Sequence, residues 1–161
     1  MSRESAAHVT QIAPPSRVGR AASPADSPSP QDRAFIALQH AYRPHGGLSR
    51  LSGLVATQRC SSEARDNDAT DLTQAGRLFS FRWHADLWVP MFQFDFSGTK
   101  AAAGPRSAVA ELGPGFDGWA LAHWFVQPNG WLAGRRPIEC LDTHLPDVLE
   151  AARADRCVTA G

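Results

Sequence analysis

The sequence predicts an α+β fold that is mainly α: short helices, one β-hairpin and a C-terminal helical region. Three observations carry that expectation. Apolar residues recur at helical spacing in several stretches, most clearly as Leu145, Val148, Leu149 and Ala152. Phe79, Phe81 and Trp83 alternate with Ser80 and Arg82, the period of two of a half-buried strand. Twelve of the fourteen aromatic residues lie between Phe79 and Trp131, so the hairpin and the later helices are expected to share one core.

Residues 1–31 hold five of the twelve prolines and no aromatic. They read as a disordered Pro/Ser-rich tail, because so little apolar surface cannot offset the entropy lost on ordering. Residues 32–76 read as a small helical segment. Phe35, Leu38 and Tyr42 mark one helix, ended by Arg43-Pro44-His45-Gly46-Gly47, and Leu48, Leu51 and Val55 suggest a second, interrupted by Gly53. The polar run RCSSEARDNDATD at 59–71 reads as a loop, and Leu72 with Ala75 as a last helical turn that stops at Gly76. Two short helices ahead of a hairpin leave a degenerate helix-turn-helix open for this segment.

Residues 77–161 read as the hairpin plus a helical domain. LWVPMFQF, 87–94, supplies the second apolar run of the hairpin after His84-Ala85-Asp86, and Pro90, without an N–H, belongs at an edge, a bulge or a strand end. Val109 and Leu112 lead into Gly113-Pro114-Gly115, and Asp117 is a suitable N-cap for a helix over Trp119–Val126 that Pro128 closes. Pro137 fits a first helical position ahead of Ile138 and Leu141. Trp119, Trp124, Leu132, Ile138, Leu141, Val148 and Leu149 are the expected core of this part.

At 161 residues the chain suits one domain. Sixteen basic and sixteen acidic side chains cancel, so no overall field favours nucleic acid or an anionic membrane. Cys60, Cys140 and Cys157 are odd in number and widely spaced, as in a reduced cytoplasmic protein, and no apolar run reaches about 18 residues. A cytoplasmic location and no membrane contact are the expectation.

Motifs for chemistry are weak. GPGFDG at 113–118 matches the letters of G-x-G-x-x-G but follows a helix-like SAVAEL, not the buried strand a dinucleotide site needs. Cys140 with His144, and His40 with His45, are pairs, whereas zinc needs three or four converging ligands. Asp142, Asp147 and Glu150 fall on the polar face of the last helix, and neither G-x-S-x-G nor a cysteine beside a base is present. The sequence therefore predicts no enzyme, no catalytic residue, no cofactor, no metal site and no small-molecule substrate. A DNA-binding regulator with a winged-helix-like segment is the alternative class. Residues from 32 onward carry 13 basic and 14 acidic side chains, and the wing offers only Arg77 and Arg82 beside Asp86, a poor phosphate footprint.

The stretch WFVQPNGWLAGRRPIECLD at 124–142, where Arg135 and Arg136 sit on a turn between helices, reads from its residues alone first as packing, with Trp124 and Leu132 in the core and the arginines solvated, and second as recognition of another protein. Arg and Trp are common anchors of protein interfaces. Trp124-Phe125, Pro128-Asn129, Leu132-Ala133-Gly134-Arg135-Arg136-Pro137 and Leu141 resemble the toxin-binding domain of Xre/MbcA/ParS-like antitoxins. Pro90-Met91-Phe92-Gln93-Phe94-Asp95 is similar to a segment preceding that domain in some relatives, and AARADR at 151–156 to how they end; the resemblance spans about residues 78–161. It implies a bacterial antitoxin that neutralises a cognate protein toxin, typically an NAD-consuming RES-domain protein, by covering the entrance to its active site. The motif residues would be Trp124, Pro128, Asn129, Leu132, Gly134, Pro137 and Leu141. Arg135, Arg136, Arg153, Arg156, Cys157 and Val158 would meet the partner. Phe125 stands where the family usually has leucine. A homo-oligomer and DNA binding are left open.

Overall fold

The computed structural model describes residues 28–59, 73–74, 76–95 and 100–160. Helix α1 (Pro30–Tyr42) starts where Ser29 caps it: Ser29 Oγ accepts from the Asp32 N–H at 3.0 Å, and Asp32 accepts from the Ser29 N–H at 3.2 Å. This capping box, with Pro30 in the first turn where a missing N–H costs nothing, puts Pro30 and Gln31 in the helix rather than in the expected tail. The Ser29 hydrogen bonds also hold the Asp32 carboxyl below its ordinary pKa.

A 3-10 turn, Arg43–His45, and two left-handed glycines, Gly46 and Gly47, then reverse the chain into strand β1 (Leu48–Arg50). Leu48 therefore opens a strand, not the second helix that its spacing suggested. Three residues are too few to display alternation. Helix α2 (Leu51–Arg59) comes next and runs through Gly53 without a break. A strand separates α1 from α2, so residues 32–59 do not form a helix-turn-helix. Cys60, Leu72, Ala75 and nearly all of the polar 59–71 run lie outside the described residues.

The hairpin is present, with strands β2 (Phe81–Trp83) and β3 (Asp86–Pro90), and Trp83 faces Asp86 across a two-residue turn in which His84 takes φ +51°. β1 adds to its other side, with Ser49 opposite Val89, giving a three-stranded antiparallel sheet in the order β1-β3-β2. β3 stops at Pro90, and Met91–Gln93 is a 3-10 turn where the apolar run had suggested more strand. The buried Gln93 side chain serves Phe79 in place of a strand neighbour. Its Oε1 accepts from the Phe79 N–H at 2.8 Å, while Nε2 donates to the carbonyls of Phe79 at 2.9 Å and Pro90 at 3.2 Å.

The remaining helices are α3 (Ala103–Leu112), α4 (Gly118–Val126), α5 (Pro137–Cys140) and α6 (Leu145–Ala160). GPGFDG is the connection between α3 and α4, and Asp117 caps α4 as expected, its Oδ1 accepting from the Ala120 N–H at 2.7 Å. The described chain is thus mainly helical with one small sheet, an α+β fold. Phe35, Leu38 and Tyr42 of α1 pack in the same cluster as Phe81, Trp88, Leu112, Phe125 and Val148. The Tyr42 hydroxyl donates to the Ala122 carbonyl at 2.7 Å, and burial raises its pKa. The early helical segment and the later domain therefore share one core. Of the expected core residues, Trp124, Leu132, Ile138, Leu141 and Val148 are buried, whereas Trp119 and Leu149 are half-buried against it.

Gly118, the first residue of α4, is where sheet and helices meet most closely. A Cβ there would run into the Ser80 carbonyl just before β2. Gly118→Ala is expected to cost about 2–3 kcal/mol, the range for overpacking against atoms that cannot rotate away. A urea titration monitored by tryptophan fluorescence would measure it, and an unchanged midpoint would show that the α4–β2 contact yields to a methyl group.

Candidate protein-binding surface

The stretch 124–142 that carries the motif folds into a closed loop between α4 and α5. Gln127 ends α4, and Pro128 leads to Asn129, which is buried and organises the loop. The Asn129 N–H donates to the Arg135 carbonyl at 3.0 Å, and the Asn129 carbonyl accepts from the Gly134 N–H at 2.9 Å. The Asn129 side-chain oxygen accepts from the Trp131 N–H at 2.8 Å, starting the 3-10 turn Gly130–Leu132. Ala133 and Gly134 then take left-handed φ values of +55° and +78°, so the chain doubles back and Pro137 enters α5 at its first position. Gly134 thus suits a place that side chains strain. Leu132, Ile138 and Leu141 are buried in the core, which anchors both ends of the loop.

What fixes this loop to the rest of the protein is a residue the sequence did not single out. Asp155 of α6 accepts three hydrogen bonds from it: from Trp124 Nε1 at 2.7 Å and Asn129 Nδ2 at 2.7 Å on one oxygen, and from Trp131 Nε1 at 3.2 Å on the other. Bonds to a carboxylate are the stronger class, and these satisfy polar atoms of two buried residues, Trp124 and Asn129. A signal existed in the sequence. Val148, Ala151 and Ala152 continue the apolar stripe of α6 onto position 155, where an acid needs partners across the interface.

The expected contact residues lie about this latch. Arg135, Arg136, Arg156, Cys157 and Val158 are exposed. Arg135 Nε donates to the Leu132 carbonyl at 3.2 Å and makes no ion pair among the described residues, while Arg136 lies 3.8 Å from Glu139. Arg153 differs: its guanidinium binds Glu111 of α3 at 2.9 Å, holding that carboxyl below its ordinary pKa and tethering the arginine along α3. Cys140 is buried and His144 exposed, and no three His, Cys, Asp or Glu side chains converge on a metal position among the described residues.

A second surface lies between α1 and the hairpin, a groove of about 500 Å³ lined in part by Ile36, Arg50, Trp83, His84 and Trp88. Phe35 stacks on Trp83 at 3.8 Å between ring centres, and Arg50 is held by Asp86 at 3.3 Å and sits 5.3 Å over the Trp88 ring. Arg50 of β1 is therefore occupied within the fold, while Arg77 and Arg82 remain exposed. No helix among the described residues is long and apolar enough to cross a membrane. No family model, curated protein or solved structure matches the chain.

Proposed function

We propose that this chain is an antitoxin-like protein that binds a cognate toxin of the NAD-consuming RES-domain type and neutralises it by covering its active-site entrance. The observation that carries this reading is the latched loop. Residues 128–137 are closed on Asn129, tied to α6 by Asp155, and still leave Arg135 and Arg136 in solvent. A rigid, exposed, arginine-bearing turn is what an interface needs, because little freedom remains to be lost on association. The Pro-Asn and Leu-x-Gly-x-x-Pro residues that carry the family resemblance are the ones that build the turn, which supports placing contact there. The DNA-binding alternative rests on Arg77 and Arg82, and few free cations on the hairpin argue against a phosphate-tracking role.

Co-expression with the product of the neighbouring reading frame, followed by pull-down and a growth assay, tests the reading. Wild type is expected to form a complex and restore growth. Arg135→Ala with Arg136→Ala is expected to weaken the complex at least tenfold while the thermal midpoint stays put, since exposed side chains contribute little to folding. Equal affinity of wild type and the double variant would remove these arginines from the interface.

A further inference from the structure

We infer that Trp131 is the anchor of the partner interface, held ready by Asp155, and that the partner toxin receives it in an apolar pocket rimmed by carboxylates. This rests on the antitoxin reading and identifies its central contact. Among the described residues three large hydrophobic side chains are exposed, Ile36, Trp131 and Val158, and Trp131 is 64 % exposed. Two of the three belong to one edge. Val158 comes three positions after Asp155, so it lies one turn further along the same side of α6 whose Asp155 holds the Trp131 indole.

Core packing gives no reason for an indole at position 131, whose ring N–H bond to Asp155 lies in solvent. The 3-10 turn Gly130–Leu132 is made by backbone bonds and by the Asn129 cap, and Leu132, not Trp131, enters the core. A tryptophan left in water forgoes the large gain that its burial would bring. Its backbone N–H donates to Asn129 at 2.8 Å and its ring N–H to Asp155 at 3.2 Å, and the second bond favours one orientation of the ring before any partner arrives. Pre-ordering of a large apolar side chain lowers the cost of docking it. Arg135 and Arg136 follow Trp131 in the same loop and are exposed, and Arg135 lacks an ion pair among the described residues. Charge complementarity therefore assigns acidic groups to the rim of the receiving pocket.

The test uses the full chain and the neighbour-encoded protein, the latter carrying an active-site substitution so that cells survive its production. Dissociation constants are measured by calorimetry for wild type, Trp131→Ala and Trp131→Phe, with thermal midpoints as a folding control. Trp131→Ala is expected to keep its midpoint and bind about 30-fold or more weakly, the scale of a hot-spot residue. Trp131→Phe keeps a ring but loses the Asp155 bond, and its affinity is expected to fall between the two. Wild-type affinity in Trp131→Ala overturns the anchor assignment and leaves the antitoxin reading standing. Wild-type affinity in Trp131→Phe alone overturns the positioning role of Asp155. Absence of binding by wild type removes the antitoxin reading itself, and the anchor with it.

Discussion

Asp155→Ala is expected to destabilise the protein by about 3–4 kcal/mol, because it removes the acceptor of three hydrogen bonds and strands donors on two buried residues. Trp124 loses the partner of its indole N–H, and Asn129 keeps its backbone bonds but no longer grips α6. A loss of that size is a large fraction of the total stability of a domain. Asp155→Asn keeps an acceptor oxygen in the same place and is expected to recover about half of the loss, since a neutral acceptor makes the weaker bond. Urea denaturation of the three proteins measures both values. A cost below about 1 kcal/mol for Asp155→Ala would mean that water replaces the carboxylate, and that the loop is held by Leu132 and Ile138 alone.

Gln93→Ala is the second large effect, expected at about 3 kcal/mol. The substitution leaves both backbone groups of Phe79 without the amide that serves them, and opens a small void beside Phe79. Gln93→Leu separates the two contributions, since it refills most of the volume but supplies no donor or acceptor. The leucine variant is therefore expected to remain well below wild type. Near-wild-type stability of Gln93→Leu would show that the Phe79 groups find other partners, and that the glutamine is not what ends β3 and begins the 3-10 turn.

Legibility in the sequence tracked length and chemistry. The stripe of α6, the cap at Asp117 and the Pro137 helix start were readable because each is a local pattern with a local cause. The hairpin was readable from alternation, but its far end was not. The apolar run continues through Phe94, whereas the backbone turns after Pro90 because Gln93 substitutes for a strand, a contact spanning 14 residues. β1 was missed for a related reason: three residues beside a helix-like LSGLVATQR carry no period, and only the pairing with β3 makes them a strand. At the candidate surface the motif residues were visible as a group, and their positions in the loop are set by Asn129 and the left-handed turn. Asp155 was marked only as an acid on the apolar stripe of α6, and its partners, two tryptophans and an asparagine more than 20 residues away, were not legible. Arg153 looked like a free contact and is tied to Glu111, a pairing across two helices that no local pattern announces.

Hydrogen–deuterium exchange of this protein, alone and mixed with the neighbour-encoded protein, shows whether the latched loop is the binding surface. It reads the covered residues without any substitution. Slowed exchange is expected over residues 128–137 and the last two turns of α6, with the β2–β3 hairpin unchanged. Protection confined to the hairpin and α1, with the 128–137 loop exchanging as in the free protein, would place the interface elsewhere and refute the proposal.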